Sequence, residues 1–154
     1  MEFKYDNIRK WFEDYFEEFN ECNGDPQKVP NMEKYFTEDL QFISYMVGVK
    51  RPDDRQGLLN SMIHPGLLED LKPEVMVIDE HSKSVAVILR VQFREVPTDT
   101  LFPAKRNCAI YQLVDDGKGG MKISSISYFA EHRPPEEIDM KTLMKKYREQ
   151  SLSG

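Results

Sequence analysis

The chain has 154 residues, with 27 acidic against 21 basic side chains and a formal net charge of −6. A chain of about 150 residues forms one domain and hides roughly 68–70% of its unfolded surface, enough for a core without disulfides or structural metals. The acid excess excludes a non-specific nucleic-acid binder, which concentrates Lys and Arg on one face to displace counterions.

The longest strongly apolar run, Val85-Ala86-Val87-Ile88-Leu89, is far short of the ~20 residues of a membrane span, so no transmembrane helix and no membrane partner are expected. Met1-Glu2-Phe3-Lys4-Tyr5-Asp6 alternates charged and aromatic residues where a secretory signal has an apolar stretch, which leads to the expectation of a cytoplasmic protein. Cys22 and Cys108 have no C-x-x-C spacing and read as free thiols.

From Asp6 onward, Ile8, Trp11, Phe12, Tyr15, Phe16 and Phe19 recur at steps of three and four between charged residues. The spacing predicts an amphipathic helix capped by Asp6 and stopped near Asn20 to Cys22 by Asn23-Gly24-Asp25-Pro26. Asn31 is placed to cap a shorter helix carrying Met32, Tyr35 and Phe36, and Leu40 to Val47 reads as a mostly buried strand closed by Gly48. Pro52-Asp53-Asp54 opens a third helix with Leu58, Leu59, Met62 and Ile63 on one side, before His64-Pro65-Gly66 breaks it.

The remainder is β-rich: Val75 to Ile78, Ser84 to Val96, Asn107 to Val114 and Lys122 to Ala130, with turns at Asp79 to Lys83 and Asp115 to Gly120. Helices followed by antiparallel strands describe an α+β layer with the helices on one face of a bent sheet. After Pro134-Pro135, Glu136, Glu137 and Asp139 precede Lys145, Lys146 and Arg148, the charge order that suits a helix dipole. The apolar stripe of that helix, Met140, Leu143, Met144 and Tyr147, could pack on its own sheet, cover a pocket mouth or meet a second subunit. The expected division is a domain over 1–133 and a C-terminal helical extension over 134–154.

Three segments stand in a telling order: Asp14-Tyr15-Phe16-Glu17-Glu18-Phe19-Asn20 followed by Gly24-Asp25, then Tyr35-Phe36-Thr37-Glu38-Asp39-Leu40-Gln41-Phe42, then Ile126-Ser127-Tyr128-Phe129-Ala130-Glu131. They resemble, in turn, the end of the first helix, the "LFADDATV" segment and the final strand of the nuclear transport factor 2-like superfamily. The resemblance covers roughly residues 5 to 132. It implies a cone-shaped, cystatin-like α+β fold, with three N-terminal helices packed on a curved antiparallel sheet and a C-terminal helix added. It also implies an apolar pocket between the helices and the concave face.

Superfamily members include steroid isomerases, SnoaL-type polyketide cyclases, scytalone dehydratase, limonene epoxide hydrolase and non-enzymatic binders, and fold alone does not choose among them. Tyr15 matches the ketosteroid isomerase tyrosine that donates a hydrogen bond to the substrate oxygen. The general-base Asp of those enzymes corresponds to Ser44, and their oxyanion-hole Asp falls near Ile110. The scytalone dehydratase histidines correspond to Val87 and to the histidine-free segment Arg106 to Ala109. Arg90-Val91-Gln92 stands where the epoxide hydrolases have Arg-x-Asp. Three known chemistries therefore lack their key groups.

Alternation along Ser84 to Val96 puts Val85, Val87, Leu89, Val91 and Phe93 under the helices. Ala86, Ile88, Arg90, Gln92 and Arg94 face outward, together with Asn107, Tyr111 and Tyr128, on a convex face expected to form a homodimer. The family position of Phe129 would bring Ser125, Ser127, Cys108, Ile110 and Gln112 inward.

The expected catalytic residues are Tyr15, as donor to a developing enolate, and His64 for proton transfer, unless an acid not placed by the sequence serves instead. The expected ligand-binding residues are Trp11, Phe19, Phe42, Ser44, Gln112, Ser125, Ser127 and Phe129, around a small apolar molecule of polyketide or steroid type. His64 also reads as a helix-terminal cap, and His81 and His132 as solvated.

No histidine spacing or carboxylate cluster makes a metal set, and Gly117-Lys118-Gly119-Gly120 lacks phosphate-loop spacing, so neither metal nor cofactor is expected. Two functions stay open. One is a cofactor-independent isomerase, cyclase or lyase. The other is a non-catalytic interaction or scaffold module whose cavity is plugged by Trp11, Phe16, Phe19, Phe42, Phe93 and Phe129.

Overall fold

A computed structural model describes residues 2–46, 49–131 and 140–153. The first helix, α1 (Tyr5–Cys22), buries Ile8, Phe12, Tyr15, Phe16, Phe19 and Cys22 along one stripe. It begins one residue before Asp6, and its cap position is Lys4, whose side chain makes no capping bond. A 3₁₀ helix (Val29–Tyr35) follows, and Phe36 is the first residue of a strand rather than the end of that helix.

That strand, β1 (Phe36–Met46), pairs antiparallel with β2 (Val49–Asp53). Pro52 and Asp53 thus belong to a strand, and the third helix, α2 (Arg55–Ser61), starts only after Asp54, whose carboxylate accepts the Gly57 N–H at 2.8 Å. The expected strand end at Val47-Gly48 lies outside the described residues.

The rest of the sheet comprises β3 (Leu67–Asp79), β4 (Ser84–Glu95), β5 (Thr100–Leu101), β6 (Lys105–Asp115) and β7 (Met121–Phe129), and α3 (Met140–Ser153) ends the chain. The order is β2-β1-β7-β6-β4-β3, with β5 attached to β4. All pairs are antiparallel except β1 with β7, which is parallel, so the curved sheet is mixed rather than antiparallel. The segment proposed to open the last helix, Pro134 to Asp139, and the boundary after residue 133 lie outside the described residues, as does His132.

The core forms where the helices meet one face of the sheet. On β4, Val85, Val87, Leu89, Val91 and Phe93 are buried while Ile88 is exposed, as strand alternation requires. Phe12 stands over this face with its ring 4.9 Å from Tyr111 and 6.1 Å from Tyr15. The turns hold where their chemistry puts them: Gly117 and Gly119 adopt positive φ, and Asp116 accepts the N–H groups of Lys118 and Gly120. Among the described residues no helix is long and apolar enough to cross a membrane.

Register on the last two strands differs from expectation. The pairs Cys108–Phe129, Ile110–Ser127 and Gln112–Ser125 form, so these residues do share one face, but it is the outer one. Ladder register shifts beside Gln112, where Ser124 and Ser125 place one extra residue in β7. Met121 and Ile123 are buried before this bulge, Ile126 after it. A bulge of this kind reverses which alternate residues face inward. Without it, counting by twos from Ile123 would bring Ser125, Ser127 and Phe129 under the helices.

Candidate functional site

Between α1, α2 and the helix-facing side of the sheet lies a cavity of about 480 Å³, with α3 along its mouth. That volume is within the range of small-molecule sites. Tyr15 and Phe19 line it from α1, Phe42 and Ser44 from β1, and Leu89, Val91 and Phe93 from β4. Asn107 and Tyr111 of β6, Ile126 and Tyr128 of β7, and Glu69 and Leu71 of β3 complete the walls.

Four of the expected binding or catalytic residues, Tyr15, Phe19, Phe42 and Ser44, therefore come together. Trp11 does not line the cavity; it stacks on the back of Tyr15 at 5.9 Å and meets Tyr35 edge-on at 5.4 Å. Ser125, Ser127 and Phe129 stand on the outer face because of the bulge, and Gln112 because it alternates with the buried Tyr111 and Leu113. Gln112 there bonds the carbonyl of Ser82 at 2.8 Å, and Phe129 stacks on Tyr45 at 4.7 Å. Conversely Asn107, Tyr111 and Tyr128, expected outside, face inward. Of the ring set expected to plug the space, Phe19, Phe42 and Phe93 line it, and Trp11, Phe16 and Phe129 do not.

His64 is fully buried away from the cavity lining. Its Nδ1 lies 2.8 Å from the carbonyl of Leu67, which can only accept, so the proton sits on Nδ1. Burial pushes its pKa down, and nearby Arg148 adds to that effect. The segment is further pinned to Gly24, which sits at φ +88° and exchanges backbone bonds with Met62 and His64. His64 thus ties the α2–β3 turn to the end of α1, and it is not the proton-transfer group of the cavity.

Among the carboxylates lining the cavity, Glu69 is the one that burial shifts towards neutral pH. It lies in β3 between Leu67 and Leu71, which are buried on the same face. Two asparagines at the end of α1 hold this stretch of an edge strand. Asn20 donates to the Leu71 carbonyl at 2.9 Å and accepts the Leu71 N–H at 2.8 Å, while Asn23 donates to the Glu69 carbonyl at 2.8 Å. These amides occupy backbone groups that a neighbouring strand would otherwise take. The Glu69 carboxylate has no hydrogen-bond or ion-pair partner among the described residues, and burial pushes its pKa up to about 7.

Three phenols share the space. Burial pushes the pKa values of Tyr15, Tyr111 and Tyr128 up, and the charge of Glu69 adds to this for Tyr15 and Tyr128. All three are therefore protonated donors near neutral pH. Asn107 is oriented by the Glu131 N–H, which its Oδ1 accepts at 2.9 Å, so its Nδ2 donates to the Tyr128 oxygen at 2.6 Å. With its oxygen accepting, Tyr128 keeps its O–H for another acceptor. Among the described residues no three of His, Cys, Asp and Glu stand together as a metal-binding set.

No protein-family model matches the sequence, and no curated protein does. Solved structures do match its shape. SalBIII, an epoxide hydrolase/cyclase-like enzyme in pyran ring formation of the polyether salinomycin, is similar with a TM-score of 0.61 and 23% identity, over 84% of this chain and 94% of that one. BvnE pinacolase from Penicillium brevicompactum gives a TM-score of 0.61 and 13% identity over 97% and 94% of the two chains. An NTF2-like protein of unknown function from Shewanella baltica gives 0.53 and 13% over 84% and 98%.

Proposed function

The chain has the nuclear transport factor 2-like, cystatin-like fold, and on that scaffold we propose a cofactor-independent isomerase, cyclase or lyase of the SnoaL-like kind. Its substrate is a polyketide- or steroid-like molecule that fits an apolar cavity. The observation that carries the reading is Glu69: a partly buried carboxylate on the cavity wall, pushed up by burial to a pKa of about 7, which suits it both to take and to return a proton at neutral pH. As carboxylate it removes a proton from a carbon beside a carbonyl. As carboxylic acid it returns that proton at another atom of the same substrate. Tyr15 and Tyr128 donate to the oxygen on which negative charge develops, in a site where burial strengthens such bonds.

Tyr15→Phe keeps the ring contacts of Tyr15 and removes only its donor. Turnover, or affinity for a verified ligand, is expected to fall by about tenfold, the worth of a hydrogen bond lost in a desolvated site. Unchanged values would remove Tyr15 from the site.

The outer sheet face supports a homodimer. Ile88, Ile110 and Phe129 are each about 40% exposed there, beside the neutral Ser125 and Ser127. Pairing two copies through this patch would take its apolar side chains out of water. Sedimentation should show a dimer that Ile110→Glu dissociates, whereas a strict monomer at high concentration contradicts this arrangement.

A further inference from the structure

We infer that the ligand of the cavity is a 1,3-dicarbonyl compound, with one carbonyl oxygen held by Tyr15 and Tyr128 and the other by Tyr111. This rests on the proposed reaction at Glu69 and adds the second half of the substrate's reacting group. The three phenols stand together. Tyr128 pairs with Ala109, and Tyr111 lies two residues along β6 on the same face, so the two are diagonal neighbours within reach of each other. Tyr15 joins them from α1, its ring 6.2 Å from that of Tyr111.

All three hydroxyls are donors without an acceptor among the described residues. No hydrogen bond from those residues reaches Tyr15 or Tyr111. The Tyr128 oxygen accepts from Asn107, which leaves its O–H to donate elsewhere. Nor does Glu69 relieve them, since its carboxylate has no partner among the described residues either. Tyr15 and Tyr111 are only 4% and 3% exposed. Yet among the described residues the polar side-chain atoms sealed off without a partner are Thr37 Oγ1, His64 Nε2 and Arg148 Nε, and no phenol oxygen is one of them. The phenol oxygens therefore open on the cavity that these tyrosines line.

A carbonyl oxygen has two lone pairs, which Tyr15 and Tyr128 fill in the proposed reaction. A ligand with that oxygen alone would shut Tyr111 off from solvent with its donor unsatisfied, which disfavours binding. A second carbonyl supplies the missing acceptor. Placed one carbon away from the first, it also acidifies the carbon between, because the electron pair released from the C–H bond spreads over both oxygens. A carboxylate with a pKa of about 7 is a weak base for a carbon beside one carbonyl and a competent one for a carbon between two. Glu69 takes the proton, and the electron pair stays on the substrate as an enolate that phenols hold at both oxygens.

Benzoylacetone and butyrophenone test this: both carry a phenyl ring on a four-carbon chain, and the second has a methylene where the first has its other carbonyl. In calorimetric titrations at pH 7, benzoylacetone is expected to bind about tenfold tighter, the effect of one buried donor satisfied rather than stranded. Tyr111→Phe is expected to remove most of that advantage and to leave butyrophenone unchanged. The bound diketone should show the absorbance of its enolate, and Glu69→Gln should diminish it. If the two probes bind equally well, or Tyr111→Phe weakens both alike, the dicarbonyl inference fails while the cavity reading stands. Tighter binding of the diketone with no enolate would overturn the reaction at Glu69, and with it the placing of the reacting carbon between two carbonyls. If neither probe binds, the cavity reading itself fails, and this one with it. Should Tyr111→Phe fail to fold, the ratio of the two affinities for the parent protein still decides the matter.

Discussion

Glu69→Gln is expected to lower turnover by about 10²–10⁴-fold, the contribution of a positioned general acid–base group, while making the folded protein more stable at pH 8. The sign of the second effect follows from linkage. The ordinary value for the group is 4.5, and in the folded chain burial raises it to about 7. The folded state therefore holds the proton more tightly than the unfolded state. Its stabilising contribution is fully present below about 4.5 and is lost as pH rises through about 7.

The loss amounts to up to about 3 kcal/mol, a ceiling that water in the cavity reduces. The Gln variant has no proton to lose, so its stability curve stays flat over the same window. Chemical unfolding at pH 4 and pH 8 measures this: the two proteins should match at pH 4, and the variant should exceed the parent at pH 8. An inactive variant that is also less stable at pH 8 would make Glu69 a structural residue. Activity lost together with stability gained is the pattern of a group held in an unfavourable environment for its function.

Phe12→Ala is expected to destabilise the fold by about 3–5 kcal/mol, the range for removing a large ring from a packed core. Phe12 has no exposed surface and contacts the rings of Trp11, Tyr15, Phe16 and Tyr111, which are centred 4.9 to 6.1 Å away. Tyr111 is fixed in the sheet and the other three rings share the helix of Phe12, so the surroundings close only in part on the space left. Urea unfolding gives the value, and a slope unchanged from the parent shows that the two unfolding reactions are comparable. Leu152→Ala, at a side chain 77% exposed on α3, is the control and should stay within about 0.5 kcal/mol. A loss under about 1 kcal/mol at Phe12 would mean that α1 is not packed on the sheet as described.

The helical side of the fold was legible because its signal is periodic. The stripe from Ile8 to Phe19 permits one buried face, and the Asn23-Gly24 stop follows it at once. Strand β4 was legible for the same reason, through strict alternation of large apolar residues. The site was legible only where such elements carry it, as at Tyr15, Phe19 and Phe42.

The errors have two physical sources. Leu67 to Pro73 has weak strand formers and ends in proline, so its strand conformation comes from pairing with β4, a tertiary effect that propensity does not contain. Glu69 was hidden in that segment, although Leu67 and Leu71 two residues to either side were a local sign that it shares their face. The other source is the bulge at Ser124-Ser125. One inserted residue sends Tyr128 inward and Phe129 outward, and short alternating runs do not disclose where it falls. Tyr111 needs no bulge: it alternates with the buried Ala109 and Leu113, and that pattern alone turns it inward.

The proposed chemistry needs the partly buried carboxyl of Glu69 to titrate close to neutral pH. Carbon-13 NMR of protein labelled at the glutamate side-chain carboxyl, compared with the Glu69→Gln variant, follows that single group through its titration. The resonance missing from the variant is expected to have its midpoint near 7. A midpoint near 4.5, the ordinary value for the group, would show the carboxylate to be solvated and would remove it from the proposed chemistry.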